Sequence, residues 1–221
     1  MMEVDICGEK LVMDPRRALF WPRASSLFAA DTHFGKSAVF RREGIPLPEG
    51  SDEEDLLALS QLITRYKAKR LYILGDFVHG ALPDNHYFYR QFNDWRASVG
   101  VEVHVVLGNH DIHLARHALH NIHWHVRVLL PPFELVHDPD ETGEGYFLAG
   151  HIHPVTRIST RGDSLRMPVF WRRRNGMVLP SFVTANGRCP EIQRKLGKSF
   201  THSAKMAAPT LGSNVKQLTH P

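Results

Sequence analysis

Cysteine is almost absent from this chain: Cys7 and Cys189 are the only two, and they form no CxxC pair. A disulfide framework and a thiolate zinc site are therefore both excluded as organising principles. No apolar run approaches the length of a membrane span, and the opening MMEVDICGEK has neither a basic segment nor an apolar stretch behind it. The expectation is a soluble, unexported, cytoplasmic protein. Internal repeats and low-complexity segments are also missing.

A large charge excess is lacking too. The formal net charge is +4, and four lysines of the segment 195–221 account for it, leaving 23 basic against 23 acidic groups in residues 1–194. Within that balanced body the signs are segregated: FELVHDPDETGEG is acidic, whereas residues 157–194 hold eight arginines against Asp163 and Glu191. A local basic face is compatible with a nucleic-acid partner. Residues 195–221 show no sustained period and several breakers, so the expectation is one domain over 1–194 and a flexible tail over 195–221.

What the chain has in excess is histidine, 15 copies. Placing them requires a coarse reading of structure. EVDI and KLVMD flank Cys7–Glu9 as a hairpin, and ALFW reads as a further strand. SLFAADTH is a buried strand with a polar end. Ser51 with Glu54 makes a capping box ahead of Leu56, Leu59, Leu62, Ile63 and Tyr66, which share one helical face. RLYILGD is the next strand, and Asp84 is the expected cap of a helix carrying Phe88, Phe92 and Trp95. VHVVLGNHD is the third. This β-α-β-α-β order implies a parallel sheet, whereas FELVH, YFLAGH, MPVFWR and MVLPSFV follow with few helices and imply a second sheet. The fold class is α/β, two mixed sheets packed face to face with helices outside, a four-layer α-β-β-α sandwich.

The strand ends carry the chemistry. AADTH supplies Asp31 and His33, ILGD supplies Asp76, VVLGNHD supplies Asn109 and His110, ELVH supplies His137, and LAGHIH supplies His151 and His153. Oxygen and imidazole donors without thiolate suit manganese, iron or zinc rather than calcium. These donors exceed the needs of one ion. Two ions sharing a carboxylate use them economically, and such a pair clamps both oxygens of a phosphoryl transfer.

The ordered set DxH (31–33), GD (75–76), GNHD (108–111), His137 and GHxH (150–153) resembles the calcineurin-like metallophosphoesterase superfamily. Within it, ADTHFGKSAVFRREGIPLP, GDFVHG and GHIHP are similar to the bacterial ligase-associated metallophosphoesterases, DNA damage response nucleases. The resemblance implies that Asp31, His33 and His153 hold one divalent ion, Asn109, His137 and His151 a second, and that Asp76 bridges them. It further implies a hydroxide nucleophile held between two ions, most readily Mn, with Fe or Zn as alternatives. His110 matches the acid that protonates the leaving oxygen, and Asp111 is expected to orient its imidazole. Where many members read GDxxD, this chain has His79, as do double-strand-break repair nucleases of the superfamily, which points toward DNA. An ATP-dependent DNA ligase and a helicase are the partners that the branch implies.

Other residues have open readings. His79 is either a phosphate contact or a surface histidine. WRRRNG, with Arg172, Arg173 and Arg174, is either a hairpin tip or, with Arg157, Arg161 and Arg166, a track for a phosphodiester backbone. Lys36, Arg41 and Arg42 are placed to steer an anion. His113, His117 and His120 share helical spacing and, with His123 and His125, invite a further metal site. A solvated helix face is the plainer expectation, since no carboxylates accompany them. The functional readings are a metal-dependent DNA endo- or exonuclease, a small-molecule phosphatase or nucleotidase, and a non-catalytic scaffold such as the superfamily's retromer subunit.

Overall fold

Three parallel strands are buried on both faces, which is why they read as nearly continuous apolar runs. In β4 (Ser26–Ala30), β5 (Arg70–Leu74) and β6 (Glu102–Val106), alternate side chains part between two cores. Leu27, Ala29, Leu71, Ile73, Val103 and Val105 face helices α2 (Ser51–Tyr66) and α3 (Tyr87–Val99). Phe28, Ala30, Tyr72, Leu74 and Val106 face a second sheet. The computed structural model describes residues 1–45, 50–159 and 164–183. The expected tail at 195–221, with Arg161, Asp163 and Glu191, lies outside the described residues.

The first sheet has seven strands in sequence order. The antiparallel meander β1 (Met2–Ile6), β2 (Glu9–Asp14) and β3 (Ala18–Trp21) leads into parallel β4, β5 and β6, and β7 (Ile122–His125) forms the other edge. The second sheet contains β8 (Val128–Leu130), β9 (Phe133–Leu135), β10 (Tyr146–Ala149), β13 (Trp171–Arg172) and β14 (Gly176–Val178). β9, β10 and β14 run parallel to one another. A separate hairpin, β11 (Val155–Ser159) with β12 (Ser164–Pro168), leaves the second sheet just past His153. The two sheets share a core in which Trp21 meets Phe133 edge to face. They are also joined at one end, where Ala30 bridges Ser181 and the Phe182 N–H donates to the Ala30 carbonyl.

The face-to-face pair of mixed sheets is the architecture expected from the sequence, and helical cover among the described residues lies on the seven-stranded sheet. Details differ. The N-cap of α2 is Gly50, not Ser51, whose hydroxyl instead pairs with Ser37 at 2.7 Å next to the short helix α1 (Lys36–Arg42). The cap of α3 is His86, not Asp84: the His86 ring accepts from the Phe88 N–H. Residues 113–120 form no α-helix. Two 3-10 turns, Asn109–His113 and Arg116–Ala118, stand there, and His123 and His125 belong to β7. No helix among the described residues is long and apolar enough to cross a membrane.

Candidate metal centre

Parallel strands deliver their carboxyl ends to one side, and here both sheets do so toward the same crevice. Asp31 and His33 follow β4, Asp76 follows β5, Asn109 and His110 follow β6, His137 follows β9, and His151 and His153 follow β10. The chain enters this crevice in a backbone conformation that L residues rarely adopt: φ is positive at Asp31, His33, Asp76, His151 and His153. Left-handed backbone at a non-glycine residue costs on the order of 1 kcal/mol or more. Five such residues in one crevice mark a site held in place by the surrounding sheets. Glycine makes room for the rest. A Cβ on Gly75 would lie 1.9 Å from His137 Nδ1, and one on Gly108 would lie 2.3 Å from the Asp76 amide nitrogen.

Two sets of side chains converge, and Asp76 belongs to both. Asp31, His33, Asp76 and His153 form the first, Asp76, His137 and His151 the second, each with its ligand atoms within 4.8 Å of one another. The Asp76 oxygens divide the work: Oδ2 faces His33 Nε2 at 3.9 Å, and Oδ1 faces His137 Nε2 at 3.4 Å. His33 Nε2 lies 3.3 Å from His153 Nε2, and His153 in turn lies 3.5 Å from Asp31 Oδ2. Asn109 joins the second set through Oδ1, 3.0 Å from His137 Nε2, with His151 Nδ1 3.1 Å from that same nitrogen. All seven residues expected as ligands are thus gathered in one place. Asp31, His33, Asp76 and His137 are buried, whereas Asn109 and His151 are exposed, so the second set opens to solvent.

Divalent cations fit these donors. Asp31 and Asp76 are buried carboxylates, and among the described residues the side chains within 4 Å that could balance them are imidazoles. At least one of those imidazoles is neutral: burial, with repulsion from His153, His79, Lys36 and His110, lowers the His33 pKa to about 2. Buried carboxylates beside a neutral imidazole are costly without a compensating charge, which bound cations would supply. Further groups orient the ligands, as is common around metals. The His137 Nδ1–H donates to the Leu74 carbonyl, freeing Nε2. Asp138 Oδ2 lies 3.8 Å from His151 Nε2, a partner that carries no signal in the sequence beyond being next to His137.

His110 and Asp111 stand next to each other but do different things. The His110 Nδ1–H donates to the His79 carbonyl at 3.2 Å, which turns Nε2 toward Asp76 Oδ2 at 4.0 Å. Asp111 does not orient this imidazole. Its buried carboxylate accepts from the N–H groups of Phe77, Val78 and Gly108, at 3.2, 3.1 and 2.9 Å, and so fastens the loop after β6 to the loop after β5. Three N–H groups that need an acceptor outcompete the neighbouring imidazole for this carboxylate.

His79 is half-buried rather than a loop-surface residue. Its ring is stacked between Phe40 and His110, at 5.3 and 5.2 Å, and its Nδ1 lies 3.4 Å from His33 Nδ1. Burial, helped by Lys36, lowers its pKa to about 4. Lys36 stands beside them with its ammonium 5.8 Å from the Phe40 ring. Arg42 is tied to the Ala81 carbonyl. The structure does not bring Arg172, Arg173 and Arg174 to this site. β13 is antiparallel to β14, and the Arg173 N–H closes the turn onto the Gly176 carbonyl, level with Phe147 near the start of β10. That tip lies four strand residues from His151, roughly 13 Å down the sheet. Arg172 there reaches the Asp5 carbonyl instead.

A family model described as calcineurin-like phosphoesterase matches residues 25–190. Among solved structures, the chain is similar to the Pseudomonas putida nuclease MPE, with 28% identity and a TM-score of 0.71 over 86% of this chain and 92% of that one. It also aligns with Yfce, a phosphoesterase from E. coli, at 20% identity and a TM-score of 0.44, covering 75% of this chain and 84% of that one. No curated protein matches.

Two outcomes follow from this geometry. Asp111→Asn places an amide NH2 among three N–H donors and should lower stability by about 2–3 kcal/mol in urea unfolding. It should leave the apparent pKa values of the pH–rate profile in place. A shifted profile at unchanged stability would mean that Asp111 acts through His110. The second concerns acid. The unfolded chain takes up a proton at His33 below pH 6.5 and the native chain does not, so this contribution to stability is complete above 6.5. It is lost as pH falls, by about 1.4 kcal/mol per unit at most. Metal-free protein should therefore unfold more readily at pH 5 than at pH 7.5, and His33→Asn should flatten that slope. An identical slope in the variant would contradict the assignment.

Proposed function

The chain belongs to the calcineurin-like phosphoesterase family, and from that premise we propose that this metal-dependent phosphoesterase is a nuclease acting on DNA, with a role in repair. The observation that carries the reading is the wall beside the two ligand sets: Lys36, Phe40, His79 and His110 succeed one another in contact, ending next to Asp76. The likeness to a nuclease along nearly the whole chain supports it.

In this reading Asp31, His33 and His153 would hold one divalent ion, Asn109, His137 and His151 a second, and Asp76 both, with manganese, iron or zinc suited to these mixed oxygen and nitrogen donors. Bound there, the ions supply Lewis-acid charge at the phosphate and lower the pKa of water. The chain supplies the rest. His110, its Nδ1–H held by the His79 carbonyl, presents Nε2 to the departing oxygen and hands it a proton. His79 steadies His33 through Nδ1 and presents its ring edge to the phosphate. Lys36 adds a fixed positive charge behind them.

A basic hairpin leaves the chain just past this site. Arg157 and Arg166 sit directly opposite each other in the β11–β12 register, both exposed, on the ribbon that leaves from His153. Like charges across an antiparallel pair repel. A polyanion lying along the hairpin would turn that repulsion into attraction, and DNA is such a ligand. One observation favours the small-phosphatase reading: the arginine triplet stands at the far end of the second sheet and adds nothing to a groove at the crevice.

Salt separates the two readings. Under subsaturating conditions with Mn, cleavage of single-stranded DNA should fall steeply with salt while hydrolysis of a nitrophenyl phosphodiester hardly changes. Arg157→Gln with Arg166→Gln should weaken DNA cleavage several-fold and flatten the log–log salt slope by about 1 per lost phosphate contact, leaving the small ester unaffected. Parallel salt profiles for both substrates would remove the DNA reading in favour of a small-molecule phosphatase.

A further inference from the structure

Among the described residues, the β11–β12 hairpin is the one pair of strands that joins neither large sheet. Its register sorts the side chains onto two faces. On one face Thr156 stands opposite Met167 and Ile158 opposite Leu165, and Met167 is buried, so this face packs onto the body of the protein. The other face carries Val155 with Pro168, then Arg157 with Arg166, then Ser159 with Ser164. All of these but Pro168, which is half-buried, are exposed. Neither arginine has an ion-pair partner among the described residues. The ribbon starts through Pro154, next to His153, and the Val169 N–H closes its base on the Pro154 carbonyl at 3.0 Å. Arg157 therefore lies roughly 13 Å beyond His153 along extended chain.

We propose that this exposed face grips a double-stranded arm of the DNA substrate beside the cut, an inference that rests on the nuclease reading above. Charge makes the occupant a polyanion. Like charges directly opposite weaken a two-stranded ribbon that is marginal by itself, and phosphates on either side of it reverse the sign. The guanidinium forks of Arg157 and Arg166 match phosphate oxygens, and the hydroxyls of Ser159 and Ser164 add donors beside them. Shape decides between one strand and two. A single strand is held by aromatic side chains on which its unstacked bases lie, and the sequence from 155 to 168 contains no Phe, Tyr, Trp or His. A two-stranded antiparallel ribbon is instead of a width that the major groove of B-DNA admits, and no further strand pairs with either flank among the described residues. Roughly 13 Å of ribbon corresponds to about four base pairs, so the arm begins close to the scissile phosphate.

The test uses the full-length protein with Mn and one oligonucleotide, offered alone and with a duplex arm annealed beside its unpaired segment. In the wild type the arm should raise kcat/KM about tenfold, mainly through KM. Arg157→Gln with Arg166→Gln, several-fold weaker on the strand alone, should lose that gain, so that the two substrates are cut equally well. Chelator-treated protein should bind a fluorescent duplex of the arm sequence, and the double variant should bind it about tenfold more weakly, with a log–log salt slope smaller by about 2. Removing the facing charges relieves their repulsion, so the thermal midpoint of the variant should hold or rise. An arm that adds nothing in the wild type, or a gain that survives in the variant, would overturn the role of the ribbon and leave the nuclease reading standing. Failure to cut either DNA while a nitrophenyl phosphodiester turns over would overturn both.

Discussion

The buried carboxylate of Asp76 is the constraint around which the crevice is arranged. Its two oxygens face different imidazole sets, and its backbone is held with positive φ between Gly75 and the amide of His110, which donates to Oδ1 at 3.0 Å. A carboxylate so far from water is costly unless cations surround it, and a side chain one methylene longer or one strand position away would face only one of the two sets. The rest follows from keeping it in place. Asp111 ties the loop after β6 to the loop after β5, and Asp52 of α2 accepts from the Gly35 N–H just beyond His33. Ser181 donates to the Asp31 carbonyl from the segment that follows β14. Loss of packing between the sheets would therefore reach the site directly.

Much of this was legible in the sequence because it rests on local pattern. Apolar runs ending in Asp, Asn or His mark strands that terminate in a site, and the glycines before Asp76 and Asn109 mark close approach. What was not legible depends on partners far away in the chain. Asp111 looked like a neighbour for His110, but three backbone N–H groups claim it. The arginine triplet looked like part of a groove until the direction of β13 put it at the opposite end of its sheet. Arg157 and Arg166, less conspicuous in sequence, gain weight only from the register that sets them face to face.

The histidines illustrate the same division. Their spacing at 113, 117 and 120 suggested a helix face, but short 3-10 turns replace it, and His123 and His125 enter an edge strand. Period alone does not distinguish the two when an apolar partner is absent on either face.

The claim that one carboxylate serves two ions is tested most directly by counting metal in Asp76→Asn. Elemental analysis of protein refilled with Mn after chelation should give two ions per wild-type chain, and the variant should lose occupancy at both positions together with phosphoesterase activity. A variant that retains one ion at wild-type affinity would show that Asp76 serves a single set, and would contradict the shared-carboxylate account.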